Sequence, residues 1–146
     1  MSVHERLASN LSAQSGAATE LEGLLEQERH ALDHREWSKI IEVAEAKATA
    51  ARRMQNLVAE LHTLSGGRKP VDAVAAAGLS DPWATLLAQA ARLQRANREL
   101  RARLDRHQHR IATALHVMSR AGNGGALYGR DGRTGFNPTA QPLARA

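Results

Sequence analysis

The segment that decides the fold runs from Leu86 to Met118 and reads LLAQAARLQRANRELRARLDRHQHRIATALHVM. Its heptad positions follow alternating steps of four and three residues, the spacing that keeps side chains on one face of an α-helix. We call these positions the seam: Leu86, Ala90, Leu93, Asn97, Leu100, Leu104, His107, Ile111, Ala114 and Met118. The pattern predicts one long amphipathic helix with a coiled-coil-like face.

Local signals at both ends set the bounds of this helix at about 82–121. Ser80 and Asp81 before Pro82 are typical of a helix start, because proline is tolerated in the first turn. The glycine-rich run that begins at Gly122 ends the helix. At about 1.5 Å per residue the helix is roughly 60 Å long, more than a compact globule of this size can cover.

Two further helices are predicted before it, at about 3–31 and 37–65. The short connection between them favours an antiparallel hairpin. Its register pairs Leu7 with Leu61, and it places Glu20 near Lys47 or Ala48 and Glu28 opposite Ile40. It also puts Trp37 at the closed end of the hairpin, in a structural role.

Gly66, Gly67 and Pro70 break the second helix, so residues 66–81 form a linker with one short helical turn at about 71–77. Trp83 opens the long helix and is likewise assigned a structural role. The expected fold class is therefore all-α: an antiparallel helical hairpin plus a long third helix, as a three-helix bundle or a coiled-coil-like assembly. Residues 1–121 form one helical domain, and residues 122–146 form a flexible tail.

Composition and motifs exclude most kinds of chemistry. The 146 residues contain no cysteine, so no disulfide or thiolate site is available. The sequence has no HExxH, GxSxG, GxGxxG or P-loop pattern, and no Glu stands three residues before a histidine. We therefore expect no catalytic residue, no metal site and no cofactor. With no apolar signal core and no long apolar run, a soluble, cytoplasmic protein without direct membrane insertion is expected.

Charge is divided unevenly along the chain. Residues 1–65 contain ten acidic and seven basic residues, a net of −3, whereas residues 82–121 contain eight arginines and two acids, a net of +6. Such a basic helix could meet the acidic hairpin of the same chain, an acidic partner helix or nucleic acid phosphates. Zinc-finger spacing, an aromatic RNA-binding pair and a helix-turn-helix are all missing, so we expect no nucleic acid partner, and a basic helical nucleic-acid-binding protein stays the less favoured alternative.

The seam has two interpretations. It packs on the hairpin and closes a bundle, or part of it receives an amphipathic helix from another protein. Asn97 lies within the seam, where a polar residue commonly sets register or partner. On the second interpretation the binding residues are Leu93, Asn97, Leu100, Leu104, Ile111 and Leu115. Self-association through the seam is a further alternative, as is a coiled-coil adaptor with no transport role.

The run Leu127-Tyr128-Gly129-Arg130-Asp131-Gly132 follows the long helix and contains the only tyrosine of the chain. A lone aromatic residue on a glycine-rich segment contributes little to a core. It is either a turn with one poorly buried ring or an exposed recognition element. From Arg133 onward the composition is typical of a disordered tail.

Taken in order, these features resemble the FlgN family over roughly residues 5–135. The residues that carry the resemblance are Leu24-Leu25-x-x-Glu28-x-x-x-Leu32, the stretch from Trp37 through Lys47 with Leu57, Trp83, Asn97, and Leu127-Tyr128-Gly129-x-Asp131-Gly132. Each motif alone is loose. Their order, and above all the tail motif after a helix of this kind, is more specific.

The resemblance implies a cytoplasmic chaperone of flagellar type III export. Its clients would be the hook–filament junction proteins FlgK and FlgL, whose carboxy-terminal amphipathic helices it would keep from assembling. The loaded complex would dock on the export gate protein FlhA, and Leu127, Tyr128 and Gly129 are the residues expected to contact that gate.

Overall fold

The structure is a computed structural model that describes the backbone of residues 1–123 and the side chains of residues 1–120. Within this part of the chain there are four helices and no strand: α1 (Val3–Asp33), α2 (Trp37–Leu64), α3 (Pro70–Ala76) and α4 (Ser80–Asn123). The predicted all-α class is confirmed, and the ends of the three long helices differ from prediction by at most two residues. The short turn expected in the linker is α3. The chain divides after Asn97 into two units, which are described separately.

Helix α1 has a well-formed start. The Ser2 hydroxyl accepts a hydrogen bond from the Glu5 amide at 3.1 Å, and the Ser2 amide donates to the Glu5 carboxylate at 3.1 Å. This capping box satisfies two of the backbone N–H groups that a helix start leaves without partners. Val3 is therefore the first helical residue, as the sequence predicts.

The connection between α1 and α2 is a tight turn. Arg35 takes a positive φ of 56°, uncommon for a non-glycine residue. The amide of Glu36 then donates to the carbonyl of Ala31 at 2.8 Å, which folds the chain back over the last turn of α1. The two helices consequently run antiparallel, as the contacts between them also show: the Asn10 side chain donates to the Leu57 carbonyl, Arg53 donates to Glu20, and Lys47 donates to Glu28.

The hairpin is held at its open end by an apolar cluster. Leu7, Leu11 and Leu61 are buried together, in agreement with the predicted pairing of Leu7 and Leu61. Val74 of α3 and Leu86 of α4 complete the cluster, so the linker and the start of α4 pack on the hairpin. Fully burying one such side chain contributes roughly 1.5–3 kcal/mol. The linker is thus part of the core rather than a loose connection.

The expected neighbours of Glu20 and Lys47 need correction. Glu20, expected near Lys47 or Ala48, pairs with Arg53 at 2.6 Å, and Glu28, expected opposite Ile40, pairs with Lys47 at 2.7 Å. Long basic side chains lean along the helix and reach carboxylates more than a turn away from the position opposite. Apolar pairing therefore predicted the packing at the open end, but not the ion pairs.

Helix α4 begins at Ser80, two residues before the predicted start. The amide of Trp83 donates to the carbonyl of Leu79 at 3.1 Å, which closes a first turn that contains Pro82. Proline tolerates this position because the N–H it lacks would have had no helical partner there. Trp83 itself is partly buried and packs against the apolar cluster.

Candidate functional site

A polar network joins α1, α2 and the first half of α4. The Lys47 ammonium donates to the Glu28 carboxylate at 2.7 Å and to the Asn97 side-chain oxygen at 2.9 Å. Glu28 is only 4% exposed, so its charge depends on this one cation for compensation. All three residues are among those that carry the family resemblance, and the structure brings them together. Asn97 is thus engaged within the chain.

A second polar layer lies nearer the open end of the hairpin. Gln89 is buried, donates to the Thr19 hydroxyl at 3.0 Å and accepts from the Ser15 hydroxyl at 3.3 Å. Sequence reasoning missed Gln89 and put Ala90 in the seam, whereas Ala90 is exposed. The signal was present, because Gln89 also stands three residues after Leu86 and four before Leu93. A polar residue that satisfies the heptad steps can be buried when hydroxyl groups face it.

The proposed binding residues fall into two groups. Leu100 is only 4% exposed and Leu93 is half-buried, so these side chains are already largely covered. Leu104 is half-buried as well. Ile111 and Leu115, in contrast, are each 46% exposed. The structure therefore does not present the six predicted residues as one open groove.

The exposed apolar residues continue beyond the predicted set. Met118 is 67% exposed and lies three residues after Leu115, which itself lies four after Ile111. These steps place the three side chains on one face of α4. We call Ile111, Leu115 and Met118 the distal stripe. Contiguous exposed apolar surface is typical of sites that bind another protein.

Arginines accompany the stripe. Arg110 directly precedes Ile111, Arg106 lies about one helical turn earlier, and both are exposed. Earlier in α4, Arg92 reaches Glu22 of α1 at 3.5 Å, so the acidic hairpin neutralises at least this arginine, as the charge division suggested. The remaining positive charge on α4 could steer an acidic partner to the stripe.

One group of side chains with metal-ligating atoms was not predicted. His30 lies in the last turn of α1, His34 caps the end of that helix, and Glu36 immediately precedes α2; one ligand atom from each lies within 4.8 Å of the others. Sequence reasoning searched for Glu three residues before His and found none. The spacing of four between the two histidines is the signal that it did not use.

Leu127, Tyr128 and Gly129, the residues expected to contact the export gate, lie outside the described residues.

Trp37 is 42% exposed at the start of α2. None of the described helices is long and apolar enough to cross a membrane.

These features define a helical bundle whose hairpin is joined by buried polar networks and whose last helix exposes an apolar stripe. A family model described as FlgN protein matches residues 1–135, and the chain belongs to the FlgN family. This is a family of chaperones in the biogenesis of the bacterial flagellum rather than of enzymes. Membership indicates a flagellar export chaperone. No curated protein and no solved structure matches the chain.

Proposed function

We propose that this chain is a cytoplasmic type III export chaperone that binds the carboxy-terminal amphipathic helices of hook–filament junction proteins of the FlgK and FlgL class. The observation that carries the proposal is the distal stripe. Its three large apolar side chains are about half exposed or more, on one face of a helix. An amphipathic client helix would cover them and hide its own apolar face in the same contact.

The binding energy available to the stripe suits a chaperone. Complete burial of a Leu, Ile or Met side chain contributes about 1.5–3 kcal/mol. About half of each side chain in the stripe is exposed, so burial by a client would contribute roughly half of that energy per side chain. The sum is a few kcal/mol from the chaperone side, before the cost of ordering the client. Such a contact prevents premature assembly and still allows release. Arg106 and Arg110 add attraction for acidic residues on the client.

The exposure of the side chains supports a revised set of residues for the proposed contact. Ile111 and Leu115 stay in the client site, Met118 joins them, and Leu104 lies at its edge. Leu93, Asn97 and Leu100 are assigned to holding the chain together, because they are already half-buried, hydrogen-bonded or buried. Substituting them would disturb binding only through loss of structure.

The client site is tested with Ile111→Asp combined with Leu115→Asp. A peptide with the carboxy-terminal helix of a FlgK-class client is titrated into the full chain in a calorimeter. We expect affinity to fall at least about 100-fold, because each carboxylate would have to be desolvated in the contact. Affinity of the unchanged chain should depend little on salt, unlike that of a phosphate-binding protein.

The matched control is Ile41→Asp combined with Val58→Asp. These two apolar residues of α2 are exposed to a similar degree as Ile111 and Leu115, at 52% and 39%. The control should bind the peptide normally. Equal loss in both variants, or normal binding by the α4 variant with its helicity intact, would place the client site elsewhere.

Delivery to the export gate is assigned to the tail motif. A tyrosine flanked by Leu127 and Gly129 can insert its ring into a pocket of a partner, as aromatic anchors do at interface hot spots. We expect Tyr128→Ala to keep client binding and to lose docking of the loaded complex on FlhA. Phe136→Ala is the matched control, because it removes an aromatic ring from the same tail and should leave docking intact. Loss of client binding in Tyr128→Ala would contradict this division of roles.

A further inference from the structure

The turn between α1 and α2 gathers three side chains that can ligate a metal ion. His30 lies in the last turn of α1, and His34, four residues later, is the residue that caps its end; their rings are stacked, with centroids 4.1 Å apart. Glu36 follows two residues later, and all three side chains are exposed. Their ligand atoms lie within 4.8 Å of one another.

The backbone of the turn holds Glu36 in this position. Arg35 takes its positive φ of 56°, its amide donates to the Leu32 carbonyl at 3.2 Å, and the Glu36 amide donates to the Ala31 carbonyl at 2.8 Å. These bonds return the chain onto the last turn of α1. The Glu36 carboxylate therefore stands beside the two imidazoles because of a defined backbone geometry.

A further contact fixes how one histidine can ligate. Nδ1 of His34 lies 2.8 Å from the carbonyl oxygen of His30. A carbonyl oxygen only accepts, so in the neutral imidazole that makes this contact Nδ1 carries the proton and Nε2 keeps its lone pair. Metal-bound histidines usually have their second nitrogen oriented in this way. The His30 ring is stacked against the His34 ring, with centroids 4.1 Å apart.

The electrostatic surroundings also favour a cation. The carbonyl groups at the end of α1 carry partial negative charge, and the Glu36 carboxylate adds a full one. Arg29, one residue before His30, is paired with Glu26 at 2.5 Å. Arg35 supplies the opposing charge within the turn.

We propose that His30, His34 and Glu36 form a binding site for Zn²⁺, with two imidazole nitrogens, one carboxylate oxygen and a water molecule as ligands. In a tetrahedral site with metal–ligand distances of about 2.0–2.1 Å, the ligand atoms stand about 3.3 Å apart. Because the two rings are stacked, the His30 side chain has to rotate about its side-chain bonds to direct a nitrogen at the ion, while His34 keeps its contact with the His30 carbonyl. Two imidazoles select Zn²⁺ over Mg²⁺, which prefers carboxylates and water. Binding would join the end of α1 to the start of α2.

The test uses the full chain without a histidine tag and freed of metal. Zn²⁺ is titrated in a calorimeter, Mg²⁺ is titrated separately, and Tm is measured with and without Zn²⁺. We expect saturable binding of one Zn²⁺, no binding of Mg²⁺, and a rise in Tm that a chelator reverses. His34→Gln and Glu36→Gln should each weaken Zn²⁺ binding at least tenfold and reduce the rise in Tm.

His62→Gln is the matched control, because His62 is an exposed histidine in the last turn of α2. It should bind Zn²⁺ as the unchanged chain does. The changed side chains are exposed, so the variants should keep their helicity, which circular dichroism checks. Absence of saturable Zn²⁺ binding, or equal binding by the unchanged chain and His34→Gln, would overturn the proposal. Unaltered binding by Glu36→Gln would remove the carboxylate from the site.

Discussion

The heptad pattern of α4 begins in the first unit, residues 1–97, continues into residues 98–120, and serves different purposes in the two. In the first region most of the pattern is buried or half-buried, apart from the exposed Ala90, and its polar residues Gln89 and Asn97 have hydrogen-bond partners. In the second region the pattern ends in the distal stripe, whose apolar side chains are exposed. The spacing of apolar residues therefore determines that a helix forms. Whether the apolar face is covered depends on what lies opposite it.

The largest effect on the free energy of unfolding that tests this difference between the regions is expected at Lys47. Lys47→Ala removes the cation that compensates the buried Glu28 carboxylate, and loss of one partner of a buried pair costs about 3–5 kcal/mol. The lower end applies here, because the Lys47 side chain is 22% exposed. The free energy of unfolding is measured by urea denaturation.

Its control is the double change Glu28→Gln and Lys47→Met, which removes both charges. Most of the lost stability should return, because no uncompensated charge is left buried. If Lys47→Ala lowers the free energy of unfolding by less than about 1 kcal/mol, the network does not hold the first region together, and the contrast between the regions weakens.

A smaller effect is expected at the closed end of the hairpin. Sequence reasoning assigned Trp37 a structural role, for which truncation of a buried tryptophan costs about 3–5 kcal/mol. The side chain is 42% exposed, so Trp37→Ala should lower the free energy of unfolding by about 1–2 kcal/mol instead. Client affinity of the folded chain should not change. Lost binding in a stable Trp37→Ala variant would move part of the client site into the first region.

These residues also show how far the sequence predicts the molecule. Periodicity, capping and glycine signals predict the helices, since each depends on neighbours within a few residues. The buried position of Gln89 depends on hydroxyl groups more than 60 residues away, on another helix. The network of Lys47, Glu28 and Asn97 likewise depends on residues from different helices. The family resemblance includes all three residues, but it gives no reason to pair them. Exposure of Ile111 and burial of Leu100 cannot be told apart from heptad spacing alone.

Two glycines of α1 are positions where a substitution should raise the free energy of unfolding instead of lowering it. A Cβ added at Gly16 or Gly23 would meet no atom within 4 Å, and both residues lie inside a helix. Gly16→Ala and Gly23→Ala should each raise the free energy of unfolding by about 0.5–1 kcal/mol, because alanine loses less backbone entropy on folding. Gly78→Ala is the control and should destabilise, because φ is 73° there. If neither change in α1 stabilises the chain, these positions bind something that requires the open space.

The smallest effect on stability is expected in the distal stripe, and it decides the comparison most directly. Ile111→Gln combined with Met118→Gln removes apolar side chains that are 46% and 67% exposed. The free energy of unfolding should change by no more than about 1 kcal/mol, because about half of the Ile111 side chain and two thirds of the Met118 side chain already lie in water in the free chain. Affinity for a client helix should nevertheless fall, since that contact is where the side chains become buried. A loss of stability well above 1 kcal/mol would mean that the stripe is covered in the free protein by a second copy or by another part of the chain. Client binding would then require that cover to be displaced first.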